Sequence, residues 1–134
     1  MENLFVTISW EVAKHLKTWV TNLRRAKEDR KKESIEALRQ VIIASRGMRI
    51  YINEWNEGVR DYSREKQLSE EWTTLGFLVR DLGLKDLSAK CDALAVKLTM
   101  IDQVSKETIE KTREALVSIE ERAQDILVPI EADR

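Results

Sequence analysis

Apolar side chains recur three and four positions apart along almost the whole of this chain, and no proline interrupts the pattern before Pro129. This spacing gathers apolar side chains on one face of an α-helix, whereas a half-buried β-strand would require strict alternation. The pattern therefore predicts an all-α fold. Because the connections between the periodic segments are short, we expect an antiparallel four- to five-helix bundle with long helices 1 and 2. The length of 134 residues predicts a single domain spanning 1–134.

Breaks in the pattern divide the chain into five predicted helices. Ser63 to Lys66 forms a polar break after the second helix, and Ser69 is the expected N-cap of the third. Gly83 is expected to end the third helix in the left-handed conformation, and Pro129 to end the fifth because it lacks a backbone N–H. The predicted spans are approximately Asn3 to Arg25, Ser34 to Tyr62, Ser69 to Leu82, Leu84 to Ile101 and Ser105 to Pro129. Either Asp29 or Ser34 is the expected N-cap of the second helix.

The first helix has an unusually wide apolar face. Its apolar residues cover an arc of roughly 200°, where a surface helix of a globular protein needs little more than about 100°. Such a helix is either central to the bundle or shared with another chain. Trp10 lies at the far edge of this arc and is a candidate interface anchor, whereas Trp19, Trp55 and Trp72 lie on apolar stripes and are predicted core residues.

The balance of charges gives the chain no general attraction for polyanions. Lysine and arginine contribute 23 residues and aspartate and glutamate 24, so the formal net charge is −1. Any electrostatic partner must therefore be bound by a local patch. The single cysteine, Cys91, allows no internal disulfide, and no long apolar segment predicts a transmembrane helix or a signal peptide. We expect a soluble cytoplasmic protein with no membrane partner.

Few residue types are available for catalysis or metal binding. His15 is the only histidine, and Cys91 lies on the apolar stripe of another helix, where a thiol is inert. Glu11 precedes His15 by one turn and makes an acid–base pair conceivable, but such pairs are common on helices, and the favoured interpretation of His15 is a half-covered residue at the edge of an apolar face. Glycine-rich phosphate loops and the Glu-x-x-His motifs of di-iron bundles are absent. We predict no enzyme activity, no catalytic residue, no metal or cofactor, and no small-molecule substrate.

The second helix carries apolar residues outside its core-facing stripe. Ile43, Gly47 and Ile50 share an outer position, and a glycine between two isoleucines would let another helix approach closely. Arginine and asparagine side chains flank them, and this combination is typical of protein interfaces. The predicted partner-binding residues are Trp10, Arg39, Ile43, Arg46, Gly47, Arg49, Ile50 and Asn53. The alternative is that Ile43 and Ile50 pack against another helix of the same chain.

Two basic segments make nucleic acid the alternative partner. Arg39, Arg46, Arg49 and Arg60 occupy adjoining positions of the second helix, and further cations occupy the predicted turn from Arg24 to Lys32. Nearby acidic residues would cancel much of the field of the arginines, so a solvated face paired with its own carboxylates is the other interpretation.

Two functions are therefore compatible with the sequence. The first is a non-catalytic helical interaction module, either a small subunit of a larger assembly or a homo-oligomer, that acts through helix–helix contacts with protein. The second is an accessory subunit that contacts nucleic acid through one of the two basic segments. The general character of the chain suggests a bacterial accessory protein in either case.

Overall fold

The computed structural model describes residues 3–23, 28–101 and 104–132. Within these residues the chain forms five α-helices and no β-strand, so the all-α prediction is confirmed. The helices are α1 (Asn3–Leu23), α2 (Glu28–Asn56), α3 (Tyr62–Asp81), α4 (Lys85–Leu98) and α5 (Lys106–Ala132). α2 has 29 residues and α5 has 27, whereas α1 has 21, so the expectation of a long first helix is not confirmed.

Each helix packs mainly against two others. α5 lies between α1 and α2, α3 contacts α2 and α4, and α4 contacts α1, while α1 and α2 touch only slightly. One apolar cluster draws on all five helices. Trp19 and Trp72 are buried in it, as predicted, and Trp55 is partly buried against it. α1 therefore has two main neighbours, like the other helices, and does not occupy the centre of a bundle.

The end of α2 differs from the predicted one. α2 stops at Asn56, after which Gly58 adopts a φ of 87° and the Val59 N–H donates to the Glu54 carbonyl at 3.0 Å. Glycine closes helices in this left-handed conformation because it has no Cβ to clash with the backbone. Val59 and Tyr62 continue the apolar spacing of α2 but lie beyond its end, and they are 50% and 71% exposed.

The polar segment from Ser63 to Lys66 is the first turn of α3 and not a break between helices. The Asp61 carboxylate accepts a hydrogen bond from the Arg64 N–H at 3.1 Å and caps the helix. Ser69, the predicted cap, lies inside α3, where its Oγ donates to the Ala95 carbonyl of α4 at 2.9 Å. Polar residues are common in the exposed first turn of a helix, so their presence alone does not indicate a break.

Gly83 ends α3 as predicted. Its φ is 85°, and the Leu84 N–H donates to the Val79 carbonyl at 3.0 Å. The start of α5 also agrees with the prediction, because α5 begins at Lys106 and the Ser105 Oγ accepts a hydrogen bond from the backbone of its first turn. The sequence signals at these two helix ends were sufficient to place them.

Two other ends were predicted wrongly. α2 begins at Glu28 and not at Ser34, because the charged run before Ser34 consists largely of good helix formers. Pro129 does not stop α5, which continues to Ala132. A proline removes the one N–H that would donate to the carbonyl four residues earlier, and only three residues of α5 follow it.

Candidate partner-binding surface

One face of α2 is open to solvent between its contacts with α3 and α5. With successive residues placed about 100° apart, most of the exposed positions fall within an arc of about 100°, and exposed Glu33 lies outside it. We call this face the outer strip; it consists of Lys32, Glu36, Arg39, Ile43, Arg46, Ile50, Asn53 and Glu54, all of which are exposed. Ile43 and Ile50 lie along its middle and are 53% and 45% exposed. Packing within the chain therefore leaves about half of each isoleucine uncovered.

Gly47 belongs to the contact between α2 and α3 and not to the outer strip. It is buried, and a Cβ at this position would lie 2.9 Å from Arg64 Nη2 and 3.2 Å from Leu68 Cδ2. The helix that approaches this glycine closely is therefore α3 of the same chain. The expectation that Gly47 contacts a partner is corrected accordingly.

Three of the predicted arginines contact carboxylates of α5. Arg39 Nη2 lies 2.8 Å from Glu131 Oε1. Arg46 donates from Nε and Nη2 to Glu120 Oε2 at 3.2 and 3.1 Å, and Arg49 donates to Oε1 of the same glutamate at 3.4 Å. One carboxylate thus receives charge-assisted hydrogen bonds from two guanidinium groups. This geometry corresponds to the interpretation of a face paired with its own carboxylates.

The fourth arginine, Arg60, belongs to a polar network at the α2–α3 connection. Its Nε and Nη2 donate to the two carboxylate oxygens of Glu65 at 2.6 and 3.0 Å. The Tyr51 hydroxyl of α2 also donates to Glu65 and accepts the Asp61 N–H at 3.1 Å. The Arg60 guanidinium lies over the ring of Tyr62, 4.5 Å from its centroid. The network fixes the turn relative to both helices.

Burial makes the charged form of Tyr51 unfavourable. The side chain is 1% exposed, and desolvation, aided by the hydrogen bond to Glu65, raises the pKa of the phenol to about 12. Tyr51 therefore remains a hydrogen-bond donor at any physiological pH. Its role in the structure is to hold Glu65 and the Asp61 backbone in place.

The basic run from Arg24 to Lys32 is only partly within the described residues. Positions 24–27 lie outside them, and the rest of the run forms the start of α2. Lys31 is half-buried and Lys32 is exposed. Lys32 lies on the outer strip, so the end of the basic run and the isoleucines share one face.

Trp10 lies on a different surface from the outer strip. It is 43% exposed on α1, a helix whose main neighbours are α4 and α5. Thr7 and Lys14, one turn away on either side, are exposed on the same face. Trp10 and the isoleucines of α2 therefore do not form one continuous helix face.

The residues considered for catalysis have separate surroundings on α1 and α4. The Glu11 carboxylate lies 2.6 Å from Lys90 Nζ of α4, which gives it a partner other than His15. His15 is half-buried at a shallow pocket of about 340 Å³ formed with Thr18 and residues 83–87. Cys91 is fully buried on α4, and desolvation raises the pKa of its thiol to about 12. A thiol in this environment has almost no thiolate at neutral pH.

A groove of about 290 Å³ between α3 and α4 is lined by Thr73, Phe77 and Ser88 and by the charged residues Arg80, Lys85 and Asp92. Residues 3–23, 28–101 and 104–132 contain no group of three His, Cys, Asp or Glu side chains that could hold a metal ion. In the same ranges no helix is both long and apolar enough to cross a membrane.

Two groups of glutamates that contact the arginines were not predicted from the sequence. Glu65 stands on the apolar stripe that continues with Leu68 and Trp72, and a carboxylate at such a position signals a buried ion pair. No comparable signal identifies Glu120 and Glu131, because their arginine partners are far away in sequence and meet them only when α5 packs beside α2.

Comparison of this chain with known proteins identifies no relative. No protein-family model matches the sequence, and neither the curated proteins nor the solved structures contain a significant match.

Proposed function

We propose that this protein is a non-catalytic interaction module: an antiparallel helical bundle that contacts another protein through the outer strip of α2. It acts either as a small subunit of a larger assembly or as a homo-oligomer, in the cytoplasm. The observation that carries the proposal is the pair of half-exposed isoleucines, Ile43 and Ile50, on a helix held on both sides by α3 and α5. An apolar centre rimmed by arginine and amide side chains is typical of protein interfaces.

The order of the contacts supports the antiparallel arrangement. Along α2, Arg39, Arg46 and Asn56 contact Glu131, Glu120 and Glu110 of α5, so partner numbers fall as residue numbers rise. Between α3 and α4, Ser69 bonds to Ala95, whereas Gly76 lies beside Ser88. Neighbouring helices that run in opposite directions give this order.

Rigid support is what makes the outer strip suitable for binding. Ion pairs fix α2 against α5, and the close approach of α3 at Gly47 fixes its other side. A partner helix laid on the strip would therefore lose little free energy to ordering of the backbone of α2. An interface formed in this way needs no change in the bundle.

The alternative function, contact with nucleic acid through Arg39, Arg46, Arg49 and Arg60, has less support. Each of these arginines contacts a glutamate of the same chain. Phosphate binding by these side chains would have to compete with carboxylates already in place, so the free energy gained from counterion release would be reduced.

The proposal is tested with Ile43→Glu and a matched control, Val96→Glu. Val96 lies on α4 and is 53% exposed, the same fraction as Ile43. Both variants should melt within about 2 °C of the wild type, because surface substitutions change stability by no more than about 0.5 kcal/mol. We expect Ile43→Glu to lose the complex formed in the native host and Val96→Glu to keep it. A folded Ile43→Glu variant that retains the whole complex would refute the proposal.

A further inference from the structure

We draw no further inference here: the strongest candidate, the pocket of about 340 Å³ that His15 and Thr18 of α1 form with the N-terminus of α4, rests on a helix N-terminus alone, and nothing else among the described residues that line it points to a ligand.

Discussion

At the scale of single residues, the least expected feature is the polar network of Tyr51, Arg60 and Glu65 beneath the α2–α3 turn. Glu65 is 6% exposed, and its two oxygens accept hydrogen bonds from both Arg60 and Tyr51. A buried carboxylate is tolerated only when it is paired and hydrogen-bonded in this way. The network therefore supports the end of α2, and with it the last residues of the outer strip.

Tyr51→Phe should weaken the fold and change its response to alkaline pH. The substitution leaves the Asp61 N–H without its acceptor and Glu65 without one donor, at a cost of about 1–2 kcal/mol. The pKa of Tyr51 is raised from 10.0 to about 12, so the wild type keeps this contribution below pH 10 and loses it as the pH rises towards 12.

Urea unfolding between pH 8 and pH 12 measures the effect. The difference in stability between wild type and Tyr51→Phe should be constant up to about pH 10 and shrink above it. Cys91 titrates in the same range in both proteins, so it cancels in the difference. A difference that does not change up to pH 12 would show that burial of the phenol does not govern this part of the pH dependence.

Two buried glycines in helices should respond differently to alanine. At Gly76 a Cβ would lie 3.5 Å from the Ser88 carbonyl oxygen, which is ordinary van der Waals contact. Gly76→Ala should therefore stabilise the protein by about 0.5–1 kcal/mol through helix propensity. At Gly47 the new Cβ must displace Arg64 and Leu68, which offsets the same gain. Thermal melts in which Gly47→Ala is the more stable of the two variants would contradict the close contact between α2 and α3.

At the scale of helices, the ends show what sequence patterns can and cannot predict. Gly83 was recognisable as a helix end because the spacing of three and four residues ends at Leu82 and begins again at Leu84, only two residues later. Gly58 adopts the same conformation, with φ of 87° against 85°, but Trp55, Val59 and Tyr62 continue the helical spacing across it. The pattern alone therefore predicted a second helix that is longer at its C-terminus than the observed α2.

The contact between α2 and α5 depends on Glu120, which receives hydrogen bonds from Arg46 and Arg49. Glu120→Gln removes the charge that both arginines contact, and we expect a loss of about 1 kcal/mol, since the Arg46 side chain is 48% exposed and its pairing is screened. The variant should also bind double-stranded DNA at low salt more tightly than the wild type, because two arginines are released.

Chemical unfolding and fluorescence anisotropy across a salt series measure the two effects of Glu120→Gln. Gln124→Ala, on the same helix and half-buried, serves as a control that leaves the ion pairs intact. A wild type that binds DNA as tightly as Glu120→Gln would mean that the arginines are available for phosphate despite their carboxylate partners. That result would favour the nucleic-acid alternative.

At the scale of the whole molecule, the sequence predicted the class of fold and placed Ile43 and Ile50 outside the core stripe of the second helix. It left open whether another helix of the chain covers them, and it did not predict the order of packing. Ile43 and Ile50 could be assigned to an outer face because helical spacing fixes the relative directions of side chains on one helix. Which helix lies beside them could not be predicted, since α5 contacts α2 although some 50 residues separate them. For this reason Gly47 was predicted to contact a partner, although α3 of the same chain covers it. The glutamates that contact the arginines were not predicted for the same reason.

The central claim is that a protein covers the outer strip of α2. The most direct measurement is the rate at which a maleimide reagent labels Ile50→Cys and, as a control, Val96→Cys, in dilute purified protein and in extract of the native host. The thiol of Cys91 is buried and does not interfere. We predict that the extract slows labelling of Ile50→Cys by at least about tenfold, as expected when roughly 90% of the strip is occupied, and leaves Val96→Cys unchanged. Equal labelling of Ile50→Cys in both conditions would contradict the claim.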